Sequence, residues 1–264
     1  MKIVIFDLDE TLGYFVEFGM FWDGLLKYIS LKNKDVSPIE LDFNKILDLY
    51  PEFLRPHIIP ILNYLKHKKE SKCCHKLMIY TNNQGSDLWA SKIISYFNDK
   101  IKIKLFDQII SAFKINGKRI EICRSTHDKT YHDLIKCTKI PKNAEICFLD
   151  DNYFPGMVEK NVYYIHVKPY IHDLPFELMI NRFVNSKIGK DWINEEDFKN
   201  FMLKYLNSYN FTYIEKTIEE EKLDKVVSKE IMIHIQYFFT HKNKSKKTKN
   251  HKNKINSNLT RKKK

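Results

Sequence analysis

The 264-residue sequence is poor in the residues that break regular structure. It has 7 glycines and 8 prolines, too few for a turn-dense all-β fold or a long flexible linker. It has no apolar run near the roughly 18 residues that a membrane-spanning helix needs. Asp7 interrupts the N-terminal apolar stretch too early for a secretory leader. The five cysteines, Cys73, Cys74, Cys123, Cys137 and Cys147, include no CxxC pair. An odd number of them without a leader predicts reduced thiols in an intracellular compartment, cytoplasmic or nuclear. Cys73-Cys74-His75 fits zinc poorly, because adjacent cysteines rarely share one tetrahedral ion.

Acid is missing from one end. Residues 241–264 hold 11 of the 45 lysines and arginines and no aspartate or glutamate. The other 240 residues carry 34 basic and 33 acidic side chains, so the net +12 belongs to the tail and the body is nearly neutral. The tail has Ile255 and Leu259 and little else that is apolar, which predicts disorder. Contact with nucleic acid or another polyanion is one expectation for it; a solvated segment with no dedicated partner is the other.

What is present is a folded body, 43% hydrophobic and 14% aromatic. Short apolar runs alternate with helical patterns. Strands are expected at Ile3–Phe6, Lys76–Tyr80, Leu105–Ile110, Glu145–Leu149 and Val162–Val167. Helices are expected around Met20–Ile29, at Ile39–Leu49, from Arg55-Pro56 onward, at Ser86–Phe97, and from Asp128 to just before Pro141. Lys32–Pro38 and the charged stretch Lys66–Lys72 read as loops, and Ile115-Asn116-Gly117-Lys118 as a hairpin turn. Strand–helix alternation predicts an α/β fold, a parallel sheet with helices on both faces, over residues 1–170. Residues 12–55 hold room for a small helical lid. Residues 171–240 read as a helical extension, with Phe176, Met179, Ile180 and Phe183 at helical spacing, and 241–264 as a disordered basic tail.

Chemistry-bearing residues sit where these strands end. Asp7-Leu8-Asp9-Glu10-Thr11-Leu12 follows the first strand, where open α/β sheets bind ligands. Two carboxylates facing one crevice repel, and a hard divalent cation with oxygen ligands, most often Mg²⁺, offsets that charge. Thr81 ends the second strand before Asn82-Asn83-Gln84-Gly85, and a hydroxyl with nearby backbone N–H groups at a helix start suits phosphate. Asp150-Asp151-Asn152 ends the fourth strand and adds carboxylates for metal. Lys129, behind Ser125-Thr126-His127-Asp128, supplies a cation. Each has a plainer reading as a cap, a turn or a surface lysine. Together, in this order, they argue for a site.

This set resembles the four motifs of the haloacid dehalogenase (HAD) superfamily of phosphotransferases, met here by Asp7-Leu8-Asp9-Glu10-Thr11, Thr81, Lys129 and Asp150-Asp151. Leu54-Arg55-Pro56 and Met78-Ile79-Tyr80-Thr81 make it most similar to the NLI-interacting-factor-like branch, the C-terminal-domain phosphatases of the Fcp/Scp kind. That branch has Thr-Ala-Ser where this chain has Thr81-Asn82-Asn83, and its lysine lies nearer the last strand, which makes Lys136 a rival to Lys129. Thr81-Asn82-Asn83-Gln84-Gly85 is also similar to the Thr-Asn-Gln-x-Gly of polynucleotide 3′-phosphatases and histidinol-phosphate phosphatases.

The resemblance implies a Rossmann-like HAD fold with a small cap or none. It implies Asp7 as nucleophile, forming an aspartyl-phosphate, and Asp9 as general acid and then base. Thr81, Asn82 and Lys129 would bind the phosphate. Mg²⁺ would be held by Asp7, Asp9 through its carbonyl, and Asp150 or Asp151, with Asp151 favoured by analogy. The 21 positions from Lys129 to Asp150 leave no room for an inserted cap domain. A thinly covered site admits phosphate carried on a macromolecule. The first expectation is therefore a Mg²⁺-dependent phosphomonoesterase of phosphoprotein Ser/Thr. The alternatives are a phosphatase of nucleic-acid 3′ ends or small phosphomonoesters, and a non-catalytic binding protein on the same fold.

Overall fold

The computed structural model describes residues 1–32, 41–85, 88–190 and 195–241. The expected Lys32–Pro38 loop, apart from Lys32, and the basic tail beyond His241 lie outside the described residues. So do the first residues expected of the Ile39–Leu49 and Ser86–Phe97 helices. In chain order the elements begin with β1 (Lys2–Phe6), α1 (Val16–Lys32), α2 (Phe43–Leu47), α3 (Ile58–Glu70), β2 (Lys76–Tyr80) and α4 (Trp89–Ile101). They continue with β3 (Gln108–Ile110), β4 (Lys114–Ile115), β5 (Lys118–Arg119), α5 (Tyr131–Thr138), β6 (Glu145–Asp150) and β7 (Val162–His166). The chain closes with α6 (Phe176–Asn185), α7 (Lys187–Lys190), α8 (Glu195–Asn207) and α9 (Ile218–Thr240).

Five strands form one parallel sheet in the order β3-β2-β1-β6-β7. β1 is central because it is apolar on both faces: Val4 and Phe6 enter one core cluster, and Ile3 and Ile5 the other. A strand buried on both faces reads as a continuous apolar run, which is how β1, β2 and β6 announce themselves in the sequence. α1, α3, α4 and the extension build the larger cluster; α5 covers the second face with Leu134. The result is the expected α/β architecture with helices on both sides. The chain leaves β1 toward β2 on one side and later returns to β6 on the other. β1 thus borders the point where the strand order reverses, and the crevice at its C-terminal end is a ligand position.

The residues after 171 share the main core. Met179, Phe183, Phe198, Met202, Ile231 and Phe238 belong to the same cluster as Phe21 and Leu149. α8 lies directly on α1, where a side chain on Gly24 would come within 2.8 Å of the Tyr205 ring. Tyr163 of β7 stacks on Tyr237 of α9 with ring centroids 5.8 Å apart. No helix among the described residues is long and apolar enough to cross a membrane.

Three local expectations are corrected. Lys66–Lys72 is not a loop: α3 runs to Glu70. Its lysines find acceptors outside the helix, Lys66 on the Ile101 carbonyl at 3.1 Å and Lys69 on the Leu105 carbonyl at 2.7 Å. Pro56 precedes α3 rather than opening its first turn. The third strand begins at Gln108, because Leu105 and Phe106 are buried in the connection before pairing with β2 starts. The hairpin stands as expected, with β4 and β5 antiparallel and both Asn116 and Gly117 in the left-handed region.

The cysteines also differ from expectation. Cys123 and Cys137 form a disulfide, Cα atoms 5.1 Å apart, so the chain does not carry five thiols. Their spacing matches no motif; they meet because the stretch before Lys129 turns back against α5. Cys73 is exposed, and Cys74 and Cys147 are buried thiols. Burial pushes the Cys74 thiol up to about 12.

Candidate active site

The strand register sets the site. Phe6 pairs with Ile79 and with Leu149, so the next residue, Asp7, stands level with Tyr80 and Asp150. Its N–H donates to the Leu149 carbonyl at 2.8 Å, which fixes its backbone to β6. The chain then turns tightly. Glu10 takes a left-handed backbone with φ of 57°, and its N–H donates to the Gly13 carbonyl at 2.7 Å. Gly13 must be glycine here, because a Cβ would lie 2.4 Å from the Phe53 carbonyl oxygen.

Three sequence stretches meet at Asp7. Lys129 is 2% exposed; its Nζ donates to the Asp7 carboxylate and to Asp150 Oδ2 at 2.7 Å. Lys136, its rival, is exposed on α5. Asp151 Oδ1 accepts the Thr11 hydroxyl at 3.0 Å, and its Oδ2 accepts Asn152 Nδ2 at 2.9 Å. One oxygen each from Asp7, Asp150 and Asp151 lies within 4.8 Å of the others.

The second carboxylate of the first motif is held apart from that group. Asp9 Oδ2 accepts Asn83 Nδ2 at 2.7 Å, and its side chain is not part of the acidic cluster. Thr81 is buried, and its Oγ1 accepts the Asn83 N–H at 3.0 Å. Asn82 lines the same cleft as Asp7, Asp9, Thr81 and Lys129, a space of about 490 Å³. All the residues expected in the site are thus gathered at one end of the sheet. α1, from the expected lid region, forms a wall of the cleft through Val16, Gly19, Met20 and Asp23.

Burial governs the electrostatics. It lifts the Asp7 carboxyl well above its usual range, against the pull of Lys129 and with a push from Asp150 and Asp9. It raises Asp9 too, opposed by the Asn83 hydrogen bond. Asp150 is raised by burial, with Lys129 opposing. Buried carboxylates this close favour a cation among them. Three acidic oxygens converge and could hold a metal ion, and one lysine cannot neutralise them all.

Two arginines were not foreseen as structural parts of the site. Arg55 is 1% exposed. Its Nε donates to the Thr11 carbonyl at 2.6 Å, and its Nη2 to the carbonyls of Glu10 and, at 2.8 Å, Lys168. It therefore clamps the turn that carries Asp9. Burial lowers its guanidinium to about 10. Arg124 is fully buried. It donates to the Thr81 and Ser111 carbonyls at 3.1 and 2.9 Å and to the His127 carbonyl at 2.8 Å. It ties the Lys129 loop to the end of β2. Tyr209, beyond α8, also lines the cleft; nothing in its local sequence marks it.

Comparison of the chain with protein-family models and with curated proteins, and of its structure with solved structures, finds no match. The α/β class therefore rests on the sheet itself, and any functional reading on the residues gathered at the C-terminal ends of its central strands.

Proposed function

We propose that this protein is a HAD-type, Mg²⁺-dependent phosphomonoester hydrolase working through an aspartyl-phosphate on Asp7, with phosphorylated serine or threonine of proteins as the substrate. The observation that carries the reading is Asp7 at the end of the central strand, bonded to Lys129 and facing Asp9 and Thr81 across one cleft.

An Asp7 carboxylate oxygen attacks phosphorus, and the bond from phosphorus to the leaving oxygen breaks. Asp9, whose carboxyl is raised by burial, donates its proton to that oxygen. The resulting Asp9 carboxylate takes a proton from water, and that water attacks the phosphorus of the acyl phosphate. Inorganic phosphate leaves and Asp7 is regenerated. Asn83 fixes the direction of Asp9 during both transfers. Thr81 and Lys129 donate toward the phosphoryl oxygens, a fixed field aimed at charge that develops in the transition state. Asp7, Asp150 and Asp151 would hold Mg²⁺, with the Asp9 carbonyl as a further ligand; the ion supplies charge neutralisation at the phosphoryl group.

The test is turnover of a generic aryl phosphate by the full chain with Mg²⁺. Asp7→Asn should abolish it. Wild-type turnover that survives this substitution, or no turnover at all, overturns the reading.

A further inference from the structure

The cleft has an unusual balance of charge for a site that handles an anion. Five carboxylates line it, Asp7, Asp9, Glu10, Asp23 and Asp151, and Lys129 is the one cation among the described lining residues. Lys129 is already engaged by Asp7 and Asp150. A divalent ion and a protonated Asp9 would leave the lining net negative before any phosphate arrives. Glu10 and Asp23 have no ion-pair partner among the described residues. Such a mouth repels a second phosphate or a nucleic-acid backbone and attracts a cation fixed near the phosphate being removed.

Thr81, Asn82, Asn83, Gln84 and Asn152 make one side of the wall polar, and the side formed by α1 and Tyr209 is largely apolar. Val16 and Tyr209 are each 42% exposed, Met20 is half-buried, and the buried Trp89 lines the same cleft. Tyr209 sits close enough to Asp23 for that carboxylate to raise its phenol, after burial and the Tyr205 hydroxyl. Its position comes from α8 lying on α1 at Gly24. The helical extension therefore supplies part of the substrate wall.

On the phosphatase reading above, we infer that the site selects phosphopeptides with an apolar or aromatic side chain next to the phosphorylated residue, seated between Val16, Met20 and Tyr209, and a lysine or arginine facing Asp23. An extended peptide meets these demands, since neighbouring side chains can present one apolar and one cationic group on either side of the phosphate.

The experiment compares four substrates with the full chain and Mg²⁺: an aryl phosphate, a phosphoserine peptide flanked by leucine and arginine, the same peptide with glutamate for arginine, and a 3′-phosphorylated oligonucleotide. The arginine peptide should exceed the glutamate peptide in kcat/KM by about tenfold, the scale of one or two exposed charge contacts. It should also exceed the oligonucleotide. Asp23→Asn should shrink the peptide ratio and Asp23→Lys should invert it; Asp23 is exposed on α1, so neither change touches the core. Tyr209→Ala should raise KM for the arginine peptide several-fold with kcat little altered. Equal peptides, a preferred oligonucleotide, or a ratio that ignores Asp23 overturns the inference while aryl phosphate turnover keeps the phosphatase reading. Loss of turnover on every substrate overturns both.

Discussion

Lys129 Nζ lies 2.7 Å from Asp150 Oδ2, and neither side chain is more than 2% exposed. The same ammonium also meets Asp7, so one cation holds together two acids on neighbouring strands. Removing one member of a buried ion pair leaves the others uncompensated and costs about 3–5 kcal/mol. Lys129→Ala should therefore abolish the proposed phosphatase turnover and lower the melting temperature measured with chelator present. Adding Mg²⁺ should recover more of that loss than it adds to wild type, because the ion then becomes the sole counter-charge. A melting temperature indifferent to Mg²⁺ in both proteins would remove the metal from the site.

Arg55 acts at one remove from the chemistry. Its three carbonyl acceptors, on Thr11, Glu10 and Lys168, need a planar fork with several donors. Arg55→Lys keeps the charge and cannot span them. It should destabilise the protein by about 3 kcal/mol in urea unfolding and lower kcat through the displaced Asp9. Because Asp9 is the proposed acid, the alkaline limb of the kcat profile should shift in this variant. A merely structural role would lower the stability and leave the profile in place.

The parts of this architecture that are legible in the sequence are those governed by short-range patterning. Ile3–Phe6, Lys76–Tyr80 and Glu145–Leu149 are largely apolar runs that end in polar motifs, and they form the adjacent central strands with Asp7, Thr81 and Asp150 at their tips. Lys129 stood out less, one lysine among many, and its position depends on Arg124 drawing its loop to β2. Arg124 itself lies in a polar stretch with no periodicity, and its burial is set by carbonyls from three separate segments. Tyr209 reaches the cleft because α8 packs on α1, with Tyr205 against Gly24, 181 positions apart in sequence. The charged end of α3 reads as a loop in sequence because its lysines look solvated locally. In fact Lys69 is drawn to Asp107 and the Leu105 carbonyl.

The disulfide between Cys123 and Cys137 closes a loop spanning 14 positions that contains Arg124 and Lys129. A loop of that size removes about 3 kcal/mol of unfolded-chain entropy. Cys123→Ser should lower the urea-unfolding free energy of the oxidised protein by about that amount. Dithiothreitol should lower wild type to the same level and leave the variant unchanged. Wild type insensitive to the reductant, with both cysteines open to alkylation beforehand, would show that the pair does not form in solution.

Glu17 is buried in the first turn of α1, with the Leu174 N–H donating to its carboxyl at 3.1 Å. Burial lifts its pKa to about 8, with that hydrogen bond opposing and Asp173 adding a further push. In the unfolded chain the group titrates near 4.3. Between these values the folded state binds the extra proton, so stability falls as pH rises through this window. Glu17 contributes no such penalty below about pH 4, and the full penalty applies above pH 8. Glu17→Gln keeps the acceptor for Leu174 and removes the titration. Its melting temperature should exceed that of wild type by several degrees at pH 8.5, at roughly 2–4 °C per kcal/mol for a chain of this size. The gap should close toward pH 5. A gap that is constant between these two pH values would mean that Glu17 does not carry the shift.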